Sequence, residues 1–340
     1  MQGLRTWIEI DRKALEHNLK EFLNLIPKKT RLMAVIKSNA YGHGLVLVAK
    51  QLANPKLKTL NSKRLWFGVD SIVEALRLRR EGIKNPILVL GLTLPSRIAE
   101  AADHNIVITI SNFESLTALA KTKKQPQFHL KIDTGMHRQG FLPSEILKLL
   151  KFLRRFRLSP QGISTHFAAK DWGYPAYTEL QLAQFKKILK MFERAGFRNL
   201  VRHAAASDAT LLFPETHLDM VRMGMGLYGY WPSEEAKNGK RKMQNKEEEI
   251  KMRLKPVLTW KTIIAEIKKI PKGSFVGYDL TERVNRPTVI AVLPIGYWHG
   301  YDRGFSGMAE VLVCGTRAKV LGRVSMDMVV IDITDIPSAR

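Results

Sequence analysis

Cysteine is nearly absent from this 340-residue chain: Cys314 is the only one, so no intramolecular disulfide and no multi-cysteine metal cluster can form. Acidic residues are scarce beside basic ones, 31 against 55, which leaves a net charge of +24. That excess makes nucleic acid or an anionic surface a partner to weigh, but it says nothing about fold. Apolar runs of about 18 residues are missing too, which excludes a membrane-spanning helix. The first residues, MQGLRTWIEIDRKALEHNL, lack the apolar core of a signal peptide, so a soluble cytoplasmic protein is expected. The remaining composition is ordinary, 45% hydrophobic and 25% charged, and the length suits two domains or one large α/β domain.

Short apolar runs recur through the first two thirds of the chain, at 31–38 (RLMAVIKS), 64–69 (RLWFGV), 86–91 (PILVLG) and 106–111 (IVITIS). Four more follow at 128–133 (FHLKID), 162–167 (GISTHF), 201–207 (VRHAAAS) and 220–229 (MVRMGMGLYG). Near-continuous apolar runs of this length suit parallel strands buried on both faces. Between them lie helical patterns. Ile72, Ala75 and Leu76 share a face over 71–80, as do Ile146, Leu149, Leu150 and Leu153 over 143–156. Leu180, Phe185, Ile188, Leu189 and Phe192 do so over 177–195. Gly82 and Gly196 stand where such helices should stop. Eight strands alternating with helices match either a (β/α)8 barrel or an open doubly wound sheet, and periodicity does not separate the two.

From residue 234 the texture changes. Residues 234–255 (EEAKNGKRKMQNKEEEIKMRLK) are dense in charge and read as a solvated linker or loop. Residues 256–340 are rich in Val and Ile and read as a mostly β second domain. The first domain spans 1–233, with 1–10 expected as a strand that pairs with the second domain.

In a barrel, chemistry gathers at the C-terminal ends of the strands. Those ends carry Lys37, then Asp133 and Arg138, then His166, Ser207 and Arg222, followed by MGMG. A lysine that ends a buried apolar strand suits a Schiff-base amine, since burial disfavours its charge; it also suits a side chain that snorkels to solvent. Backbone N–H groups of a glycine-spaced turn can receive a phosphate, although glycine serves ordinary turns as well.

The motif AVIKSNAYGHG resembles the pyridoxal phosphate lysine motif of the alanine racemases, enzymes of the fold-type III pyridoxal phosphate class. KIDTGMHRQG, STHFA, HAAASDAT, VRMGMGLYG, FVGYD, PIGYWHGYDR and GRVSMD follow in the order that family requires, so the resemblance covers essentially the whole chain. It implies the (β/α)8 barrel with a mostly β C-terminal domain, a homodimer with shared active sites, and two-base racemisation of L- and D-alanine.

The resemblance also implies residue roles. Lys37 would hold the cofactor and act as one catalytic base. Tyr278 would be the other base, approaching the opposite face from the partner subunit, because racemisation needs a base on each side of a planar carbanion. Tyrosine is a poor base at its usual pKa near 10, so a neighbouring cation should lower it. Tyr41, Ser207 and the backbone of Gly224 and Met225 would bind the cofactor phosphate. Arg222 would face the pyridine nitrogen, and a guanidinium that keeps its proton leaves that nitrogen unprotonated. His166 would join the network around Arg222. Arg138 would orient the cofactor's phenolic oxygen and the substrate carboxylate, and Lys131 matches a lysine that is carbamylated in some family members. Tyr297 and Met326 would line the substrate pocket, with Asp327 beside them.

Departures from the family pattern touch positioning only. Ala206 stands where Asn is common, Met223 where Pro is usual and His299 where Asp is usual. The family continues past DITDIP, with a further active-site tyrosine to which no residue here corresponds, so the second domain reads as cut short. Racemisation of another amino acid and a non-catalytic pyridoxal phosphate homeostasis protein are the alternatives. The second lacks a β domain, which this chain has. Nucleic acid is a weak alternative, because the cluster Lys148, Lys151, Arg154, Arg155 and Arg157 suits the solvated face of an outer helix.

Overall fold

The computed structural model describes residues 3–54, 64–168, 175–238, 240–243, 246–249 and 251–339. After an N-terminal strand, β1 (Thr6–Ile10), the eight apolar runs become eight parallel strands: β2 (Arg31–Val35), β3 (Leu65–Val69), β4 (Ile87–Val89), β5 (Val107–Ile110), β6 (Phe128–Lys131), β7 (Gly162–Ser164), β8 (Val201–His203) and β9 (Met220–Met223). From β2 to β8 each strand pairs with its sequence neighbour, and β9 returns to pair with β2. The two ends of that sheet, β8 and β9, are joined by the backbone bonds Asp219 N–H to Arg202 O (3.0 Å) and Arg222 N–H to Ala205 O (3.1 Å). These bonds beside the strand ends bring β9 back to β8 and the ring nearly closes, which decides for the barrel over the open sheet.

Burial explains why the strands read as unbroken apolar runs. All five residues of β3 are buried, and Met33, Val35, Trp66, Leu88, Val107, Val201 and Met220 pack together as one cluster. Outer helices bury one stripe each: Ile146–Arg155 hides Ile146, Leu149, Leu150 and Leu153 and leaves its charged residues outside. Helix starts are fixed by side chains, as where Asn112 Oδ1 accepts the Ser115 N–H at 2.8 Å and opens Phe113–Lys121.

The stretch 234–255 is more ordered than its composition suggests. Ser233 caps a short helix, Glu234–Lys237, whose Ala236 is fully buried. Beyond it β10 (Lys240–Met243) pairs antiparallel with β11 (Lys246–Glu249). Residues 239, 244, 245 and 250 of this stretch lie outside the described residues. The chain then ties back to the barrel, with the Asn18 amide donating to Lys255 O at 2.8 Å and Val257 N–H donating to Tyr228 O at 3.1 Å. Gly229 permits this approach, because a Cβ there would lie 2.0 Å from Lys255 O. Charge hid these contacts from the sequence, since they run through backbone groups.

Residues 11–257 form one compact unit, and residues 1–10 with 258–340 form the other. In the second unit β1 pairs antiparallel with β12 (Leu258–Thr262). Five antiparallel strands follow in the order β13 (Glu266–Ile270), β16 (Thr288–Leu293), β19 (Val329–Asp332), β18 (Thr316–Leu321) and β17 (Glu310–Val313), around a core of Ala291, Val320, Val329, Ile331 and Ile333. A short hairpin joins β14 (Phe275–Val276) to β15 (Glu282–Arg283).

Candidate active site

Lys37 begins a turn directly past the end of β2. Ser38, Asn39, Ala40 and Tyr41 all take left-handed backbone angles, with φ between 54° and 55°, and Gly42 closes the turn at φ 87°. Such a run of non-glycine residues needs external support. Glu74 gives it: one carboxylate oxygen accepts the Ser38 N–H at 2.7 Å, and the other accepts the Asp70 N–H at 2.8 Å. The Asn39 side chain adds a bond from Leu45 N–H at 3.0 Å. The Lys37 ammonium lies 3.3 Å from Asp70, and both side chains are partly open to solvent. The segment S-I-V-E at 71–74 has the capping-box pattern, which signals a special glutamate, but here the carboxylate serves the turn across the barrel top. In Glu74→Gln one of the two contacts would face donor to donor. We expect a loss of about 2 kcal/mol in chemical denaturation with the fold retained. An unchanged denaturation midpoint would show that the turn does not depend on Glu74.

Tyr41, at the end of that turn, reaches β9's continuation. A Cβ on Gly224 would sit 2.8 Å from the Tyr41 hydroxyl, and the Tyr41 ring stacks at 5.1 Å on Tyr228. Ser207 Oγ accepts from Gly224 N–H at 3.1 Å and from Gly226 N–H at 3.4 Å. Two hydroxyls and two backbone N–H groups thus gather at a glycine with no room for a side chain. Met225, adjoining, is partly exposed. This donor set suits a phosphate.

Arg222 stands on β9, in register with Met33 of β2, the strand that leads to Lys37. It is buried, and its acceptors are all neutral. One terminal nitrogen donates to Thr165 O (2.9 Å), Ala204 O (2.7 Å) and His166 Nδ1 (2.9 Å), and the other donates to His203 Nδ1 (3.0 Å). Burial lowers its pKa to about 10, which still leaves the guanidinium protonated at neutral pH.

Lys131 closes β6. Burial first, then the charges of Arg222 and Arg138, press its ammonium well below the ordinary lysine value, with Asp133 opposing. Asp133 accepts four backbone N–H groups, from Gly135, Met136, His137 and Arg138, at 2.9 to 3.0 Å. It thereby shapes the loop that carries the exposed Arg138. Burial raises the Asp133 carboxyl, but those four bonds outweigh it and the net shift is downward.

In the β unit, Tyr278 lies in the connection between β14 and β15 and is 65% exposed. Its neighbour Asp279 sits 2.7 Å from Arg323. Tyr297 and Met326 come together there: Tyr297 N–H donates to Ser325 O at 3.1 Å and Trp298 N–H to Met326 O at 3.0 Å. A Cβ on Gly296 would lie 2.5 Å from Met326 O, so the close approach requires glycine.

Residues 10–232 match the N-terminal domain of alanine racemase as a family, and residues 257–340 match its C-terminal domain. The chain belongs to the alanine racemase family. Its similarity extends over nearly all of its length. The alanine racemase of Desulforamulus reducens is 38% identical over 98% of this chain and 87% of that protein. That of Leptospira interrogans is 36% identical over 98% and 84%. Among solved structures, the alanine racemase of Bacillus anthracis with bound L-Ala-P superposes with a TM-score of 0.85 at 34% identity, covering 96% of this chain and 82% of that one. The alanine racemase of Clostridium difficile 630 does so at 0.85 and 29% identity, covering 98% and 84%.

The family is pyridoxal phosphate-dependent, and the residues present fit that group: an amine at a strand end, a phosphate-suited glycine turn and a buried cation on the neighbouring strand. Sequence reading did not single out Glu74, Asp70, His129 or His203. The two histidines stand inside the strand runs FHLKID and VRHAAAS, where a polar residue in a buried run was the available signal.

Proposed function

We propose that this chain interconverts L- and D-alanine with pyridoxal phosphate, with Lys37 and Tyr278 as the two bases. The buried, neutrally bonded Arg222 one strand from Lys37 carries this reading most directly. Bound pyridoxal phosphate supplies the electron sink that makes the substrate's α-hydrogen acidic. Lys37 Nζ moves the proton on one face and Tyr278 Oη on the other. Arg222 keeps its own proton and offers none to the ring nitrogen, which moderates the sink and guards against side reactions. Tyr41, Ser207 and the Gly224–Met225 backbone hold the phosphate, and His166 steadies Arg222.

Arg138 orients the substrate carboxylate. We assign Lys131 as a carbamylation site: its lowered pKa leaves a neutral, nucleophilic amine that would add to dissolved carbon dioxide and release one proton to solvent, and the resulting carbamate anion would be opposite in charge to Arg138 and Arg222. Tyr297 and Met326 bound a small pocket that suits a methyl side chain. Tyr278, Tyr297, Trp298 and Met326 are all substantially exposed on the β unit, which fits their contribution to the site of a partner subunit in a homodimer. Among the described residues no helix is long and apolar enough to cross a membrane. A cytoplasmic enzyme that supplies D-alanine for peptidoglycan accords with this.

The test follows optical rotation from pure L-alanine and from pure D-alanine with pyridoxal phosphate present. We expect both to decay to zero. Decay with another amino acid but not with alanine would redirect the substrate assignment, and no decay at all would reject racemisation.

A further inference from the structure

The barrel interior holds two histidines that the proposed reaction does not use. His129, on β6, and His203, at the end of β8, are fully buried, and His129 Nδ1 lies 2.9 Å from His203 Nε2. The other nitrogen of His203 faces Arg222 at 3.0 Å. The other nitrogen of His129 is buried with no bonding partner. The rings are confined: a Cβ on Gly162 would meet His129 at 2.6 Å, and Trp66 packs on it at 5.6 Å.

Donor and acceptor roles along this line follow from Arg222, which can only donate. His203 Nδ1 must therefore be a bare acceptor, which places the His203 proton on Nε2. That proton points at His129 Nδ1, which must also be bare, so the His129 proton sits on Nε2. The reverse arrangement would set an N–H of His203 against an N–H of Arg222. Double protonation is disfavoured as well. Burial takes the His129 pKa to about 3, and burial with the Arg222 charge takes His203 well below its usual value.

We propose that His129 is a positioning residue: with His203 it forms a tautomer-locked relay that fixes the orientation of the Arg222 guanidinium. The relay offers Arg222 a directional acceptor without a carboxylate. A carboxylate there would neutralise the charge that Arg222 presents to the cofactor ring; a neutral imidazole aims the guanidinium and leaves its charge whole. The role assigned to Arg222 rests on the proposed racemase reading, whereas the relay itself does not.

The experiment has two arms. In the first, the cofactor-free protein labelled with 15N-histidine is examined by NMR for the protonated nitrogen of each ring, with His129→Gln and His203→Gln providing the assignments. Neutral rings with the proton on Nε2 at both positions are expected. A proton on Nδ1 of His129, or a doubly protonated His203, would overturn the relay. In the second arm His129→Leu removes the acceptor for His203, and His129→Gln restores one through its side-chain oxygen. His129→Leu should lower kcat roughly tenfold, the rate equivalent of one buried hydrogen bond lost, with KM for alanine nearly unchanged. His129→Gln should recover most of that. Equal impairment of the two variants with the His203 tautomer intact would mean that His129 only fills space. An unaltered protein that shows the tautomer pattern but no racemisation would uphold the relay and overturn the activity reading alone.

Discussion

Lys37→Ala is expected to abolish the visible absorption that a lysine-bound pyridoxal phosphate gives and to lower racemisation by at least roughly ten-thousandfold, because cofactor attachment and one base are lost together. The side chain is partly solvent-exposed and its one charged partner is the likewise exposed Asp70, so the fold should survive the substitution. Circular dichroism checks that point. With Ser207 and Gly224 holding the phosphate as proposed, weak, reversible binding of free cofactor should persist. A visible band of full intensity in the variant would mean that another amine holds the cofactor. Lys131, pressed toward its neutral form inside the barrel, would then be the first residue to examine.

Tyr278→Phe should act on one direction more than the other. Removing the hydroxyl takes away one base and leaves Lys37 in place, so exchange of the α-proton should continue for one enantiomer and fall by about a thousandfold for the other. NMR of alanine in deuterated water reads both directly, as the rate at which each pure enantiomer loses its α-proton signal. Cofactor absorption should not change, since the residues proposed to hold the cofactor belong to the barrel unit and Tyr278 belongs to the other. Equal losses for L- and D-alanine would remove Tyr278 from the proton-transfer step.

Much of the fold was legible because its strands are buried on both faces. Runs such as RLWFGV can be read without knowing the topology, and β3 occupies that run. Periodicity could not say whether the sheet closes, because closure depends on two long-range backbone bonds between the strands that begin and end the sheet order. The motifs located Lys37, Ser207 and Arg222 because such residues stand out at the ends of apolar runs. They did not locate Glu74, whose work is done through backbone N–H groups of a turn remote in sequence. Nor did they give meaning to His129 and His203, since a histidine in a strand carries no sign of which nitrogen bears its proton. The charge of +24 found no counterpart in the candidate site, where Arg222 is buried and Lys37 is only partly open to solvent.

The left-handed run beside Lys37 bears on how this protein could be made more robust. Each non-glycine residue held in that conformation costs about 1–2 kcal/mol, so Ser38 to Tyr41 carry roughly 4–8 kcal/mol, comparable with the whole margin of a folded domain. Glycine at Ser38 or Ala40 would relieve part of it. A search for heat-resistant variants that ignores activity should therefore converge on this turn, and in doing so would loosen the backbone that aims the lysine. Thermal robustness and a fixed nucleophile compete here for the same few dihedral angles.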